Sequence, residues 1–155
     1  MAATPKPNSD ESSAPFKIEK VQSWRAMLRR AVAWKTARYT KGDIEATVVG
    51  LTDDHGNTGY GYMPAMLVVG ESPATAEALL HSAVTPLLRE KEIVGVPDVM
   101  KQIDFAIGAN CQLKFAVEEA LLDLQAKCMK TPLFNLFGGL SRREVPVMRM
   151  LGLKP

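Results

Sequence analysis

Two histidines, two cysteines and a few clustered acids are the groups in this sequence that could do chemistry. His55 stands in the run Asp53-Asp54-His55-Gly56-Asn57, and His81 lies in a stretch of helical period. Neither has a second His or Cys at ligand spacing, so no metal site is expected in this chain. Glu118 and Glu119 are adjacent, and helix neighbours point about 100° apart, so they cannot share a proton as a catalytic pair. Gly59-Tyr60-Gly61 lacks the third glycine of a dinucleotide fingerprint and does not open a helix. In a strand such glycines mark close approach of another backbone. Cys111 and Cys128 fall on one expected helix at a separation of about 25 Å, far beyond the roughly 7 Å that a disulfide spans. They are expected to be free thiols used as small apolar filler, as suits a reducing cytoplasm. Arg25, Arg29, Arg30, Lys35, Arg38 and Lys41 interleave with Trp24, Trp34 and Tyr39. Single-strand nucleic-acid surfaces use such mixtures, but no recognised binding motif accompanies this one. It reads as strand plus loop, part of it available to an anionic ligand.

The elements that must position these residues fall into two halves. Residues 17–33 carry Ile18, Val21, Trp24, Met27, Leu28 and Val32 with imperfect alternation, which predicts a strand with a bulge or break. Residues 44–52 form a clearer β-branched strand. Asp53 to Asn57 supply turn chemistry, with Gly56 suited to positive φ, and the chain returns over 58–63. This is a three-stranded antiparallel meander. From Ser72 the period changes to 3.6. Ser72-Pro73 is an N-cap followed by proline at the first helical position. Ala76, Leu79, Leu80, Ala83, Val84 and Leu87 make an apolar stripe, with Pro86 predicting a kink or early end. Pro97 opens a shorter helix bearing Val99, Met100, Ile103 and Ile107. Asn110 is the expected N-cap of a third helix with Leu113, Val117, Ala120, Leu121 and Leu124 on one face. Thr131-Pro132 starts a short fourth helix that Gly138-Gly139 ends. Residues 145–151 read as a new strand with no sheet to join. The fold class is α+β, a meander followed by a helical bundle.

The 155 residues, 46% hydrophobic and 23% charged, suit one soluble globular domain. The net charge of +2 argues for neither nucleic acid nor a membrane surface. No apolar run approaches the roughly 18 residues of a membrane span. Residues 1–15 lack an apolar signal-peptide core and read as a disordered tail.

The run from Ala116 to Lys127, then Thr131-Pro132-Leu133-Phe134-Asn135-Leu136-Phe137-Gly138-Gly139, then Val145-Pro146-Val147 carries a family resemblance. It resembles the end of the capping domain in the mandelate racemase and muconate lactonizing branch of the enolase superfamily. Asp54-His55-Gly56 and Gly59-Tyr60-Gly61 match the meander of that domain, and the resemblance covers residues 16–151. It implies a capping domain over 16–140 and, over 141–155, a linker with the first strand of a (β/α) barrel that is otherwise absent. Trp34-Lys35-Thr36-Ala37 and the run from Met63 to Ser72 are similar to two loops of the dipeptide epimerases. By that similarity Trp34, Arg38, Tyr39, Met66 and Val68 are candidates for substrate contact. Where the family usually has Gly-x-Gly-Glu, this chain has Gly59-Tyr60-Gly61-Tyr62. An arginine that meets an acidic substrate in some epimerases aligns with Tyr39, although Arg38 is adjacent, so acidic-dipeptide specificity is not implied.

The resemblance also implies a mechanism for a full-length parent, an isomerase or lyase. A base removes the proton α to a carboxylate and Mg2+ stabilises the enediolate, in a racemase, epimerase, cycloisomerase or dehydratase. Those groups sit on barrel strands, so no catalytic or metal-binding residue is expected in this chain, and the fragment alone is expected to be inactive. The cap closes the barrel mouth, excludes water and selects a small carboxylate substrate. A cytoplasmic homo-oligomer is expected, with an exposed apolar surface where the barrel would sit. The alternative is a non-catalytic, cap-like module for self-association or partner binding.

Overall fold

A computed structural model of the protein describes residues 15–31, 34–35, 40–89 and 92–148. Strand β1 (Phe16–Leu28) is followed by a small hairpin of β2 (Trp34–Lys35) and β3 (Thr40–Lys41). Strands β4 (Ile44–Asp53) and β5 (Thr58–Pro64) complete the expected antiparallel meander. The structure adds a fourth strand, β6 (Glu92–Ile93), which pairs with the start of β1 and gives the order β5-β4-β1-β6. Two residues are too few to leave a periodic signal in the sequence.

The predicted irregularity of β1 lies between Ile18 and Lys20, where the register against β4 shifts. Ile18 and Val21 are three residues apart yet both buried. Strict alternation forbids that, and a bulge restores it. The strand ends at Leu28, five residues short of the expected boundary.

The helical half begins with α1 (Pro73–Leu79). Ser72 accepts the Thr75 N–H at 3.2 Å and donates its own N–H to Thr75 Oγ1 at 2.9 Å, a reciprocal capping box. The helix widens into a π turn over Leu80–Val84 and finishes as α2 (Thr85–Arg89). Proline and π turns are two usual causes of a helix irregularity, and here Pro86 is the second residue past the widened turn. Next come α3 (Val96–Ala106), α4 (Cys111–Cys128) and α5 (Leu133–Leu136). All five predicted stripe residues of α4, from Leu113 to Leu124, are fully buried. Of the strand expected over 145–151, residues 145–148 form no strand and the remainder lies outside the described residues.

Helix α4 sits unusually close to β5, and the glycines are the reason. A Cβ on Gly59 would lie 2.2 Å from the Ala120 carbonyl oxygen, and one on Gly61 would lie 1.8 Å from that of Ala116. The Gly-x-Gly spacing therefore meets an Ala-x-x-x-Ala spacing one helical turn apart. Proximity lets α4 close the open edge of the sheet. Tyr60 N–H donates to Asp123 Oδ2 at 2.9 Å, Tyr62 N–H donates to Glu119 Oε2 at 2.8 Å, and Lys127 Nζ donates to the Thr58 carbonyl at 2.6 Å. These three side chains, spaced i, i+4, i+8, substitute for a neighbouring strand and block edge pairing.

Candidate functional site

The clearest candidate is the loop between β5 and α1. Leu67, Val68 and Val69 form one turn of 3-10 helix and stand 75%, 78% and 64% exposed. Three consecutive exposed aliphatic residues have no folding rationale and point to contact with something else. The loop is nonetheless tightly tied. Met66 and Glu71 exchange backbone hydrogen bonds at 2.8 and 3.2 Å, and Gly70 turns the chain at φ 79° while donating to the Leu67 carbonyl.

Glu71, at the base of this loop, is buried. Its Oε2 accepts the N–H groups of Gln112 at 2.9 Å and Leu113 at 3.2 Å, the first turn of α4. This corrects the expectation for Asn110. Asn110 holds the cap position, but with φ 50° and ψ 45° it is left-handed, and its side chain donates to the Gly108 carbonyl instead. A carboxylate from 41 residues away serves the orphan donors.

Of the substrate-contact candidates, Met66 and Val68 belong to this loop, with Val68 in solvent and Met66 half-buried at its base. Trp34 pairs through its backbone with Lys41 in the β2–β3 hairpin. Arg38 and Tyr39 lie outside the described residues. Within the basic cluster, Arg25 makes a bidentate pair with Glu77 of α1 at 3.0 and 2.9 Å. That bond raises the Arg25 pKa and lowers that of Glu77. Arg25 thereby ties β1 to α1. Trp24 lies over Gly50 and near Tyr60, with ring centroids 6.2 Å apart, on the sheet face away from the helices.

A second cluster occupies the β4–β5 turn. The Asp53 carboxylate is fully buried and accepts from His55 N–H (3.0 Å), Asn57 N–H (2.7 Å), Asn57 Nδ2 (2.8 Å) and Cys128 Sγ (3.1 Å). Burial opposes its ionisation, but the bonds from Asn57, Cys128 and His55 outweigh that and hold the carboxyl below its ordinary range. The Cys128 thiol is pushed up to about 12 by burial first and by the Asp53 carboxylate second. Neither cysteine is in a disulfide. Because the thiolate is the nucleophile, a thiol reagent at pH 8 is expected to label exposed Cys111 quickly and Cys128 only after unfolding. Equal rates for the two in the native protein, read by mass spectrometry of the peptides, would contradict this assignment.

Among the described residues, Asp53, Asp54 and His55 bring potential ligand atoms within 4.8 Å of one another. They do not fit a magnesium ion. Both Asp53 oxygens are already committed to two donors each, and Asp54 Oδ1 meets His55 Nδ1 at 2.9 Å. Magnesium needs free carboxylate oxygens and retained waters. A groove of about 430 Å³ between the start of α3, α4 and α5 is lined mainly by apolar groups such as Val94, Pro97, Leu122 and Phe137, with Glu118 at its side. No acid–base pair converges there. Among the described residues, no helix is long and apolar enough to cross a membrane.

A meander closed at its edge by a helical bundle, with an apolar loop held outward, defines an α+β domain of the capping type found in enolase-superfamily enzymes. Residues 20–138 match the model of the mandelate racemase / muconate lactonizing enzyme N-terminal domain, and the chain belongs to that family. It is 32% identical over 125 residues to an L-Ala-D/L-Glu epimerase of Bacillus subtilis, covering 80% of this chain and 34% of that protein. It is 31% identical over 141 residues to an L-Lys-D/L-Arg epimerase of Desulforapulum autotrophicum, covering 90% and 40%. The chain thus spans little more than a third of these relatives. Among solved structures, the muconate lactonizing enzyme of Pseudomonas fluorescens complexed with muconolactone superposes with a TM-score of 0.76 at 27% identity, over 82% of this chain and 35% of that one.

Proposed function

We propose that this domain is the substrate-selecting cap of an enzyme that removes a proton α to a carboxylate, of the epimerase or cycloisomerase kind. The observation that carries the reading is the run Leu67-Val68-Val69, held in solvent on a bonded loop in a chain of this family. In this reading the loop closes over a barrel mouth, displaces water and meets the apolar part of a small carboxylate. In this reading the magnesium ion and the proton-transferring bases belong to the barrel of the parent enzyme, since the atoms of the Asp53-Asp54-His55 cluster are already engaged by one another and by Asn57 and Cys128. A cytoplasmic homo-oligomer is part of the same proposal.

A second reading, a non-catalytic module for self-association, is favoured by the exposure of Phe105, Phe115, Phe134 and Phe137. Deuterium wash-in separates the two. In D2O with magnesium, the cap joined to its barrel is expected to exchange the α-proton of a dipeptide or related carboxylate, and the 155-residue chain alone is expected to exchange none. In the joined protein, Val68→Asp is expected to raise KM by about tenfold, the loss of roughly 1.4 kcal/mol of binding. Exchange by the isolated chain, or an unaltered KM in the Val68→Asp protein, would refute the cap reading.

A further inference from the structure

We propose that Glu71 is the positioning residue of the β5–α1 loop, a clasp that sets the pose of Leu67, Val68 and Val69 from the first turn of α4. The inference rests on the reading of that loop as substrate-facing, and adds to it the residue through which the loop is held.

Three observations converge on this side chain. The loop is closed at its neck by the Met66–Glu71 backbone pair, so whatever fixes Glu71 fixes the neck. The Glu71 side chain is buried and reaches across 41 and 42 residues to the Gln112 and Leu113 N–H groups. The next residue, Ser72, caps α1 through the Thr75 box. One dipeptide therefore binds the loop to the N-terminal ends of two helices. Among the described residues, no other side-chain hydrogen bond joins the loop to α4. The aliphatic tip itself has no buried residue, so it takes its orientation from its base. Helix α4 in turn is seated on β5 by the Gly59 and Gly61 contacts, which gives the clasp a rigid post. A loop tied in this way meets a ligand as a preformed wall, and preformed contacts lose less conformational entropy on binding.

The test separates a clasp from a simple helix cap. Amide hydrogen exchange is followed by NMR in the 155-residue chain for wild type, Glu71→Gln, Glu71→Asp and Glu71→Ala. Glutamine keeps an acceptor oxygen and is expected to retain protection at Met66, Gly70, Gln112 and Leu113. Alanine is expected to lose at least about tenfold protection at all four, while Leu121 and Leu124 stay protected. Formate added to Glu71→Ala supplies a carboxylate to the helix end in trans. It is expected to restore Gln112 and Leu113 but not Met66 and Gly70, because the bond to the loop is missing. Recovery of all four with formate would reduce Glu71 to a cap, and unchanged loop protection in Glu71→Ala would remove the proposal altogether. Glu71→Asp, one methylene shorter, keeps the charge and is expected to lose loop protection too if alanine prevents folding. In the joined enzyme Glu71→Ala is expected to raise KM more than it lowers kcat. A lost clasp with unchanged KM would overturn the substrate-facing role while leaving the cap's family and fold untouched.

Discussion

Gly61→Ala is expected to destabilise the domain by about 3 kcal/mol or more, the upper end of what overpacking costs. The added Cβ would meet the Ala116 carbonyl oxygen at 1.8 Å, its carbon at 2.7 Å and the Ala120 nitrogen at 2.9 Å. All three are backbone atoms of a helix, so no side-chain rotation relieves the clash. The whole of α4 must move off β5. That would also loosen the hydrogen bonds from Tyr60 to Asp123 and from Tyr62 to Glu119, which exist because the two backbones approach so closely. A domain of this size has roughly 5–15 kcal/mol to lose. Gly42→Ala is the matched control, since among the described residues a Cβ there meets nothing within 4 Å, and a change within about 0.5 kcal/mol is expected. Urea denaturation midpoints compare the two. Equal midpoints would mean that α4 is not seated on β5 as described.

The second large effect is expected at Asp53, and it depends on pH. Asp53→Ala removes the acceptor of four donors inside the β4–β5 turn and is expected to cost about 3 kcal/mol at pH 7, since bonds to a charged group contribute roughly 1.5–3 kcal/mol each and the orphaned donors partly find water. Burial works against the charge, but the donors prevail and the folded carboxyl titrates below its ordinary value. A lowered folded pKa contributes stability that is complete above the unfolded pKa of about 3.9. The contribution disappears as pH falls through the lower, folded value. Wild type and Asp53→Ala should therefore differ most at neutral pH and converge below about pH 4. Midpoints in urea across pH 7 to pH 3 would show the convergence. A gap that stays constant across that range would mean that the carboxylate charge is not what these donors stabilise.

Both predictions concern positions of which the sequence shows half. The turn at Asp53 to Asn57 and the strand glycines are visible as residue types, and close backbone approach is the physical meaning of glycines in a strand. Which backbone approaches is not visible, because Ala116 and Ala120 lie more than 50 residues further on. Asp123 stands in the helix motif that carries the family resemblance, yet its task of accepting from Tyr60 is set by how α4 lies along β5. The candidates Met66 and Val68 are placed on an outward loop, whereas Arg38 and Tyr39 lie outside the described residues. Asn110 shows the opposite case. Its type suits an N-cap, but its backbone is left-handed and the cap comes from Glu71.

The order and kind of the longer elements, β1, β4, β5 and the helices, are legible in the sequence, whereas the two-residue strands β2, β3 and β6 are not. Strand period, turn residues, the Ser72-Pro73 start and the α4 stripe are local signals, read within a few residues of one another. The family is legible there too, since the helix and Gly-Gly motifs are contiguous. Which groups serve each other across the chain is set by the folded arrangement. The short β6 strand, the helix side chains that close the β5 edge, and the Asp53–Cys128 bond all join residues far apart in sequence. So does the reach of Glu71 to the start of α4. Hydrogen bonds of this kind depend on distance and direction in space, and a carboxylate carries no mark in the sequence of the donor that it will meet.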